Sequence, residues 1–468
     1  MSRTKLYGQI FDVEIIDTTV DGKGVARLND KVFFVANAVP GDKVQIKVIS
    51  KKRRFFEAKL ENIISPSEYR TVPKCKHFGI CGGCRWQHMT YESQLLFKEK
   101  QVVDQFERIG KIIAPHNKIE RSPELFYYRN KLEFTFSTNK WHTNPDEPGL
   151  PVLGFHIPGR FDKILDIEEC FLQSPPSNEI RNCIKKIALL HNIPFYNTRT
   201  YEGFLRNLII RNNSKKEFML ILSVKYFNEQ WIELITENIK KHFPQVVSFY
   251  IAINDKLNDS LDNVPLKKIY GVAKLSENIA GLVFNVSPKA FMQVNYSQTL
   301  NLYKKILDLA NFTYEEIVYD LYCGIGTISL LLAQKAKHVV GIEYVDEAVK
   351  DAIENAKANN ITNASFFSGD VKEVLNSKEL LQNYKPDVIV LDPPRAGIHP
   401  DVIQKIIELN VKKIIYVSCN AATQARDINL LGGTYKVTYY QPFDMFPHTN
   451  HVENIAILEN FSTKYDSK

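Results

Sequence analysis

The 468-residue chain is 44% hydrophobic, 11% aromatic and 24% charged, a composition that excludes a disordered or low-complexity protein and leaves material for two to four domains. Its formal net charge of +7 is a mild excess, which permits an anionic partner without demanding one. The start, MSRTKLYGQIFDV, lacks an apolar signal core and no apolar run is long enough to span a bilayer, so the expectation is a cytoplasmic chain with no membrane contact.

Residues 1–66 alternate apolar and polar positions in short runs, as in Gln9-Ile10-Phe11-Asp12-Val13 and Lys43-Val44-Gln45-Ile46-Lys47-Val48. Asp21-Gly22-Lys23-Gly24 and Pro40-Gly41-Asp42 separate these runs as turns, which predicts a small β-barrel. The basic run Lys51-Lys52-Arg53-Arg54 adjoins Phe55-Phe56, a pairing that suits single-stranded nucleic acid and equally suits a lysine-guarded hairpin edge.

A central α+β domain is expected over 67–286. Its first part, to about residue 90, is irregular, a helix is expected over 91–112, and strand patterns follow at 131–136 and 208–211. Three of the seven cysteines crowd into Cys75-x5-Cys81-x2-Cys84, with Cys170 distant in sequence. Such clustering points to a metal in a reducing compartment and away from disulfides. Four thiolates suit a tetrahedral zinc and a [4Fe–4S] cluster alike, and the spacing departs from the C-x3-C-x2-C of radical chemistry, so the site is expected to be structural or to position RNA. Cys183, in a helix-like stretch, reads as core.

From 287 to 468 strands and helices alternate, which predicts an α/β domain with a doubly wound, mostly parallel sheet. The expected elements are helix 296–311, strand 317–322, helix 327–336, strand 338–343, helix 346–359, and strands at 364–368, 387–391, 413–418, 434–440 and 454–458. The first strand runs into Cys323-Gly324-Ile325-Gly326, a glycine turn without the third glycine of a dinucleotide fingerprint. Acids stand at the ends of successive strands: Glu343, 19 positions after Gly324 and suited to ribose hydroxyls, then Asp370 and Asp392. Acidic tips without a phosphate-binding loop fit a nucleoside cofactor that carries no phosphate, of which S-adenosylmethionine is the common one. Gln293, in Phe291-Met292-Gln293-Val294-Asn295, is a further candidate for cofactor or substrate, while Asn295 also reads as a helix cap.

Tyr416-Val417-Ser418-Cys419-Asn420 puts a cysteine with polar flanks just past a buried strand, on the same sheet edge. A partly open, polar site is what a reactive thiolate needs. Uracil C5 belongs to an electron-poor ring and attacks a methyl donor only after a thiolate has added to C6. Its proton must then leave to a base, and His451-Val452-Glu453 offers a carboxylate. In Asp392-Pro393-Pro394-Arg395 an arginine follows the proline pair where amine methyltransferases usually carry a stacking aromatic, which argues against amine methylation.

These motifs, in this order, resemble the iron–sulfur branch of the RNA (uracil-5-)-methyltransferase family over nearly the whole chain. The resemblance implies a TRAM-like barrel, a Rossmann-like methyltransferase domain, Cys419 as nucleophile and Glu453 as base. It also implies contacts from Gln293, Tyr322, Glu343 and Asp392 to S-adenosylmethionine, and a [4Fe–4S] cluster on Cys75, Cys81, Cys84 and Cys170. Members with both barrel and cluster act mostly on 23S ribosomal RNA, with the T-loop of tRNA as the alternative, and the expected state is a monomer. Two positions depart from the pattern: Ala421 stands where proline is usual after Ser-Cys-Asn, and Tyr322 where phenylalanine is frequent.

Overall fold

The computed structural model describes residues 6–142 and 149–461. Five strands between Ile10 and Ser65 close into a barrel, because Ile10–Thr18 pairs with both Gly24–Leu28 and Lys43–Lys51. Alternate residues Val13, Ile15, Phe33, Val35, Val44, Ile46 and Val48 fill its interior, the inward half of the two-residue period seen in the sequence. On its surface Phe34 stacks on Phe55 with ring centres 4.3 Å apart.

The middle of the chain forms a seven-stranded, mainly antiparallel sheet in which Lys131–Ser137 and Leu205–Asn212 are neighbours. Helices Ser177–Leu190 and Glu229–His242 cover one face, burying Ile180, Ile184, Ile232, Ile235 and Ile239 against Phe134, Leu208 and Leu220. Cys183 is half-buried and packs at the rim of this core.

The last sheet runs 364–368, 338–343, 317–321, 388–391, 413–418, 453–460, 435–443. Its first five strands are mutually parallel, and only Glu453–Asn460 runs the other way. Strand order reverses between Ile317–Leu321 and Val388–Leu391, which opens a crevice at their carboxyl ends. The hairpin Leu275–Val286 joins this layer, with Ile279, Phe284 and Val286 in one core with Leu302, Ile306 and Leu331.

The expected helix at 91–112 is an α-helix over Tyr91–Gln105 that loosens into a π-turn at Phe106–Gly110 and stops at left-handed Lys111. Val102 and Phe106 are fully buried in the core of the C-terminal sheet, Phe106 against the Tyr440 ring at 4.5 Å. Among the described residues no helix is long and apolar enough to cross a membrane.

Candidate active site

The glycine turn after Ile317–Leu321 uses three left-handed residues in alternation: Tyr322 (φ 71°), Gly324 (φ 56°) and Gly326 (φ 81°). A tyrosine in that region is strained, and such strain concentrates at functional sites. A Cβ placed on Gly324 would meet nothing within 4 Å, so the space over the turn is open to a ligand. Glu343 braces the turn from the next strand: its Oε2 accepts from Gly324 N–H at 3.0 Å and its Oε1 from Val345 N–H at 3.0 Å. Asp370 caps the short helix Val371–Val374, accepting from Lys372 N–H at 2.8 Å.

Beneath the turn lies Asp320, buried, accepting from the Ser329 hydroxyl while its Oδ1 has no partner. Burial and the nearby Asp392 push its carboxyl up to about 7. Tyr303, from helix Tyr296–Ala310, is also buried and its hydroxyl meets Thr327 Oγ1 at 3.1 Å. Neither residue stood out as an individual site candidate in the sequence, because a buried acid and a core tyrosine carry no local signature. Gln293 is buried, and its backbone carbonyl accepts from Asn130 Nδ2 at 2.9 Å. Asn295 is a cap and a bolt: it accepts from Gln298 N–H, and its amide donates to Ser122 Oγ and Met445 O. Phe291 is exposed.

The reversed last strand brings the two chemistry candidates together. Ser418 and Asn454 are antiparallel partners, so Cys419 and Glu453 emerge side by side where the two strands part. Val388–Leu391 flanks the same edge and delivers Asp392 and Arg395. Glu453 is 1% exposed, with Oε1 unpartnered, and burial plus Asp392 raise its carboxyl well above the usual range while Arg395 opposes the shift. Cys419 is half-buried. Burial, Glu453 and Asp392 push its thiol up to about 11, and Arg395 pulls it down. Two buried carboxyls and a thiol that resist ionisation together are groups among which one proton can be passed.

A second constellation lies in the middle of the chain. Cys75, Cys81, Cys84 and Cys170 all line one cavity of about 100 Å³, with Arg129 and Thr449 on its wall. Gln87 ties two of them, accepting from Cys75 N–H at 3.0 Å and donating to Cys84 Sγ at 3.3 Å. Burial pushes the Cys81 thiol up to about 11 and the Cys84 thiol up to about 12. Among the described residues no three His, Cys, Asp or Glu side chains are arranged to hold a single metal ion.

The family model of tRNA (uracil-5-)-methyltransferase matches residues 214–461 and that of the TRAM domain residues 5–60. The chain belongs to the family of S-adenosylmethionine-dependent RNA (uracil-5-)-methyltransferases. A relative in Bacteroides thetaiotaomicron, described as an uncharacterized RNA methyltransferase, is 46% identical over 94% of this chain and 99% of its own length. One in Chlorobaculum tepidum, described likewise, is 34% identical over 97% of this chain and 96% of its own. The crystal structure of Pyrococcus abyssi tRNA (uracil-54, C5)-methyltransferase with S-adenosyl-L-homocysteine is 27% identical, with a TM-score of 0.76 over 96% of this chain and all of that one.

Proposed function

We propose that the enzyme methylates C5 of a uridine in 23S ribosomal RNA, in the cytoplasm, with Cys419 as nucleophile and Glu453 as base. The observation that carries the two catalytic roles is the pairing of Ser418 with Asn454, next to which thiol and carboxyl emerge; the choice of 23S ribosomal RNA rests on the resemblance, in which barrel and cysteine set go together with that substrate. Gln293, Tyr322, Glu343, Asp370 and Asp392 are the residues that would hold S-adenosylmethionine, a reading supported by the open space over Gly324 and by Glu343 Oε2 accepting from Gly324 N–H. When bound, that cofactor supplies the methyl group as an electrophile on sulfonium sulfur. The Cys419 proton passes to Asp392, which leaves Glu453 as a free carboxylate, and the sulfur bonds to uracil C6, which makes C5 nucleophilic. After C5 has taken the methyl group, Glu453 removes the C5 proton, the C5–C6 double bond re-forms and the C6–sulfur bond breaks. Burial keeps Glu453 a stronger base than an exposed glutamate, which suits that step. Arg395 offers a cation to the uracil oxygen or a phosphate.

For the cysteine site we propose a [4Fe–4S] cluster on Cys75, Cys81, Cys84 and Cys170. Its support is four thiols around one cavity of about 100 Å³, a space in which a cluster of several atoms fits better than one zinc ion gripped at about 2.3 Å. Burial keeps free thiols protonated there, so bound iron would supply the positive charge that holds them as thiolates. Iron and sulfide assayed on anaerobically purified protein should each come to about four per chain; zinc in their place ends this assignment.

A second substrate reading is a tRNA T-loop uridine. It is favoured by the match to the Pyrococcus enzyme, named for tRNA uracil-54, which extends over 96% of this chain and so includes the barrel. Methyl transfer to unmodified 23S ribosomal and tRNA transcripts, with 5-methyluridine mapped by mass spectrometry, decides between the two. Modification of neither transcript, with both correctly folded, refutes the function proposed.

A further inference from the structure

The loop that leads into Glu453 is held by the opposite end of the chain. It runs from Asp444 to His451, between the two C-terminal strands. At its centre His448 is buried and left-handed (φ 66°), a backbone region that residues other than glycine rarely adopt. Such a conformation persists only where the surroundings impose it.

Gln94, on the helix Tyr91–Gln105, has no exposed surface and does most of the imposing. Its Oε1 accepts from His448 N–H at 2.8 Å. Its amide nitrogen donates to Trp86 O and Met89 O, each at 3.0 Å, and lies 3.3 Å from His448 Nδ1. Trp86 completes the circuit: the N–H groups of Arg85 and Trp86 both donate to His448 O at 2.9 Å. The side chain of Gln94 thus ties the stretch after Cys84 to the loop before Glu453. Flanking bonds point the same way, from Tyr128 Oη to Pro447 O at 3.0 Å and from Lys98 Nζ to Phe446 O at 3.0 Å. The hold is passed forward when Thr449 Oγ1, bonded to Phe446 O at 2.8 Å, accepts from His451 N–H at 3.2 Å.

We propose that Gln94 is a positioning residue for the proton-abstraction step: it fixes His448, and through His448 it sets the Glu453 carboxylate against the C5 proton. The inference rests on the roles given above to Cys419 and Glu453. Those roles place the base last in the sequence of events, after sulfur has bonded to C6 and C5 has been methylated. An enzyme whose base is displaced therefore stalls with RNA covalently attached, whereas an enzyme that has lost its fold forms no adduct at all.

The test uses Gln94→Met, which keeps the length of the side chain and removes its hydrogen bonds, and Tyr128→Phe, which removes one flanking bond. Each full-length variant is incubated with S-adenosylmethionine and unmodified transcripts carrying ordinary uridine. Protein–RNA adduct is read on a denaturing gel, 5-methyluridine by mass spectrometry, and cofactor affinity by calorimetry. For Gln94→Met we expect cofactor affinity within about twofold of the parent, turnover lower by about 10²-fold as for a small misplacement of a reacting group, and adduct accumulating. Tyr128→Phe should shift both readings the same way by less. Unchanged turnover, or turnover lost without adduct while cofactor binding holds, overturns the proposal. Should Gln94→Met lose cofactor binding, Tyr128→Phe decides by the same two readings. Glu453→Gln serves as reference: no adduct there sinks the role of Glu453 itself, while adduct there and none in Gln94→Met sinks only the role of Gln94.

Discussion

Alkylation of Cys419 in the RNA-free enzyme should climb with pH and show no plateau near neutrality. Its thiol is held up at about 11 by burial, Glu453 and Asp392, with Arg395 the opposing cation. At about pH 8 the thiolate is then about 10⁻³ of the population, and each unit of pH raises it about tenfold, the equivalent of about 1.4 kcal/mol. Iodoacetamide reacts with the thiolate, so its rate at this cysteine should rise about tenfold per unit from about pH 7 to 10. Arg395→Gln removes the cation and raises the thiol further, which slows the reaction at a fixed pH. Arg395 is exposed, so water screens its charge and the effect is held to about 1 kcal/mol, roughly a fivefold fall. The rate is read as loss of the unmodified peptide carrying Cys419, by mass spectrometry. A rate that levels off below about pH 8 would reveal a preformed thiolate and refute the reasoning, as would an Arg395→Gln enzyme that reacts at the parent rate.

Glu453→Gln should lower formation of 5-methyluridine by about 10²- to 10⁴-fold, the range for a lost general base, while cofactor affinity measured by calorimetry stays at the parent value. Lys98 and Asp444 form an ion pair 2.5 Å long with neither side chain exposed. Lys98→Met strands the carboxylate and should cost about 3–5 kcal/mol in urea unfolding, most of it recovered by adding Asp444→Leu. Asp320 is an acid whose folded value, about 7, lies above its unfolded value, so between about pH 4 and 7 the folded chain binds the extra proton and stability falls as pH rises. The slope is at most about 1.4 kcal/mol per unit, and Asp320→Asn should flatten it in thermal melts across that window. Gly326→Ala puts a Cβ on a left-handed residue, 3.1 Å from Ala352 Cβ and from the Phe366 ring, and should weaken cofactor binding while leaving the barrel folded, as judged by calorimetry and circular dichroism.

The parallel strands after residue 296 and the helices Tyr296–Ala310, Thr327–Ala333 and Asp346–Ala358 were legible because each carries its own period and its own punctuation: Asn295 caps one helix, and Gly324 and Gly326 break a strand from the helix that follows, whereas helices Pro400–Leu409 and Ala421–Leu431 were not foreseen. The edge on which Asp392 and Cys419 lie together follows from that alternation alone. The adjacency of Cys419 and Glu453 was not legible, since it depends on the reversal and register of Glu453–Asn460, a pairing between segments more than thirty residues apart. The hairpin Leu275–Val286 shows the same limit: it lies inside the segment expected to be the central domain, yet its residues pack in the core of the methyltransferase layer. Gly110 and Lys111 end the first helix through a π-turn, which a 3.6-residue period does not foresee. Gln94 was invisible because a polar residue in a polar-rich helix reads as solvent-facing, yet it has no exposed surface.

The buried grip on His448 spans 354 positions of chain, with one partner near the beginning and the other near the end. A ribosome makes the gripping parts first and the gripped part last, and contacts so remote in sequence form late and slowly. A nascent chain therefore has its helix and cysteine segment in place before the loop they grip has been made, and Gln94 spends that interval without the backbone partner it holds in the finished fold.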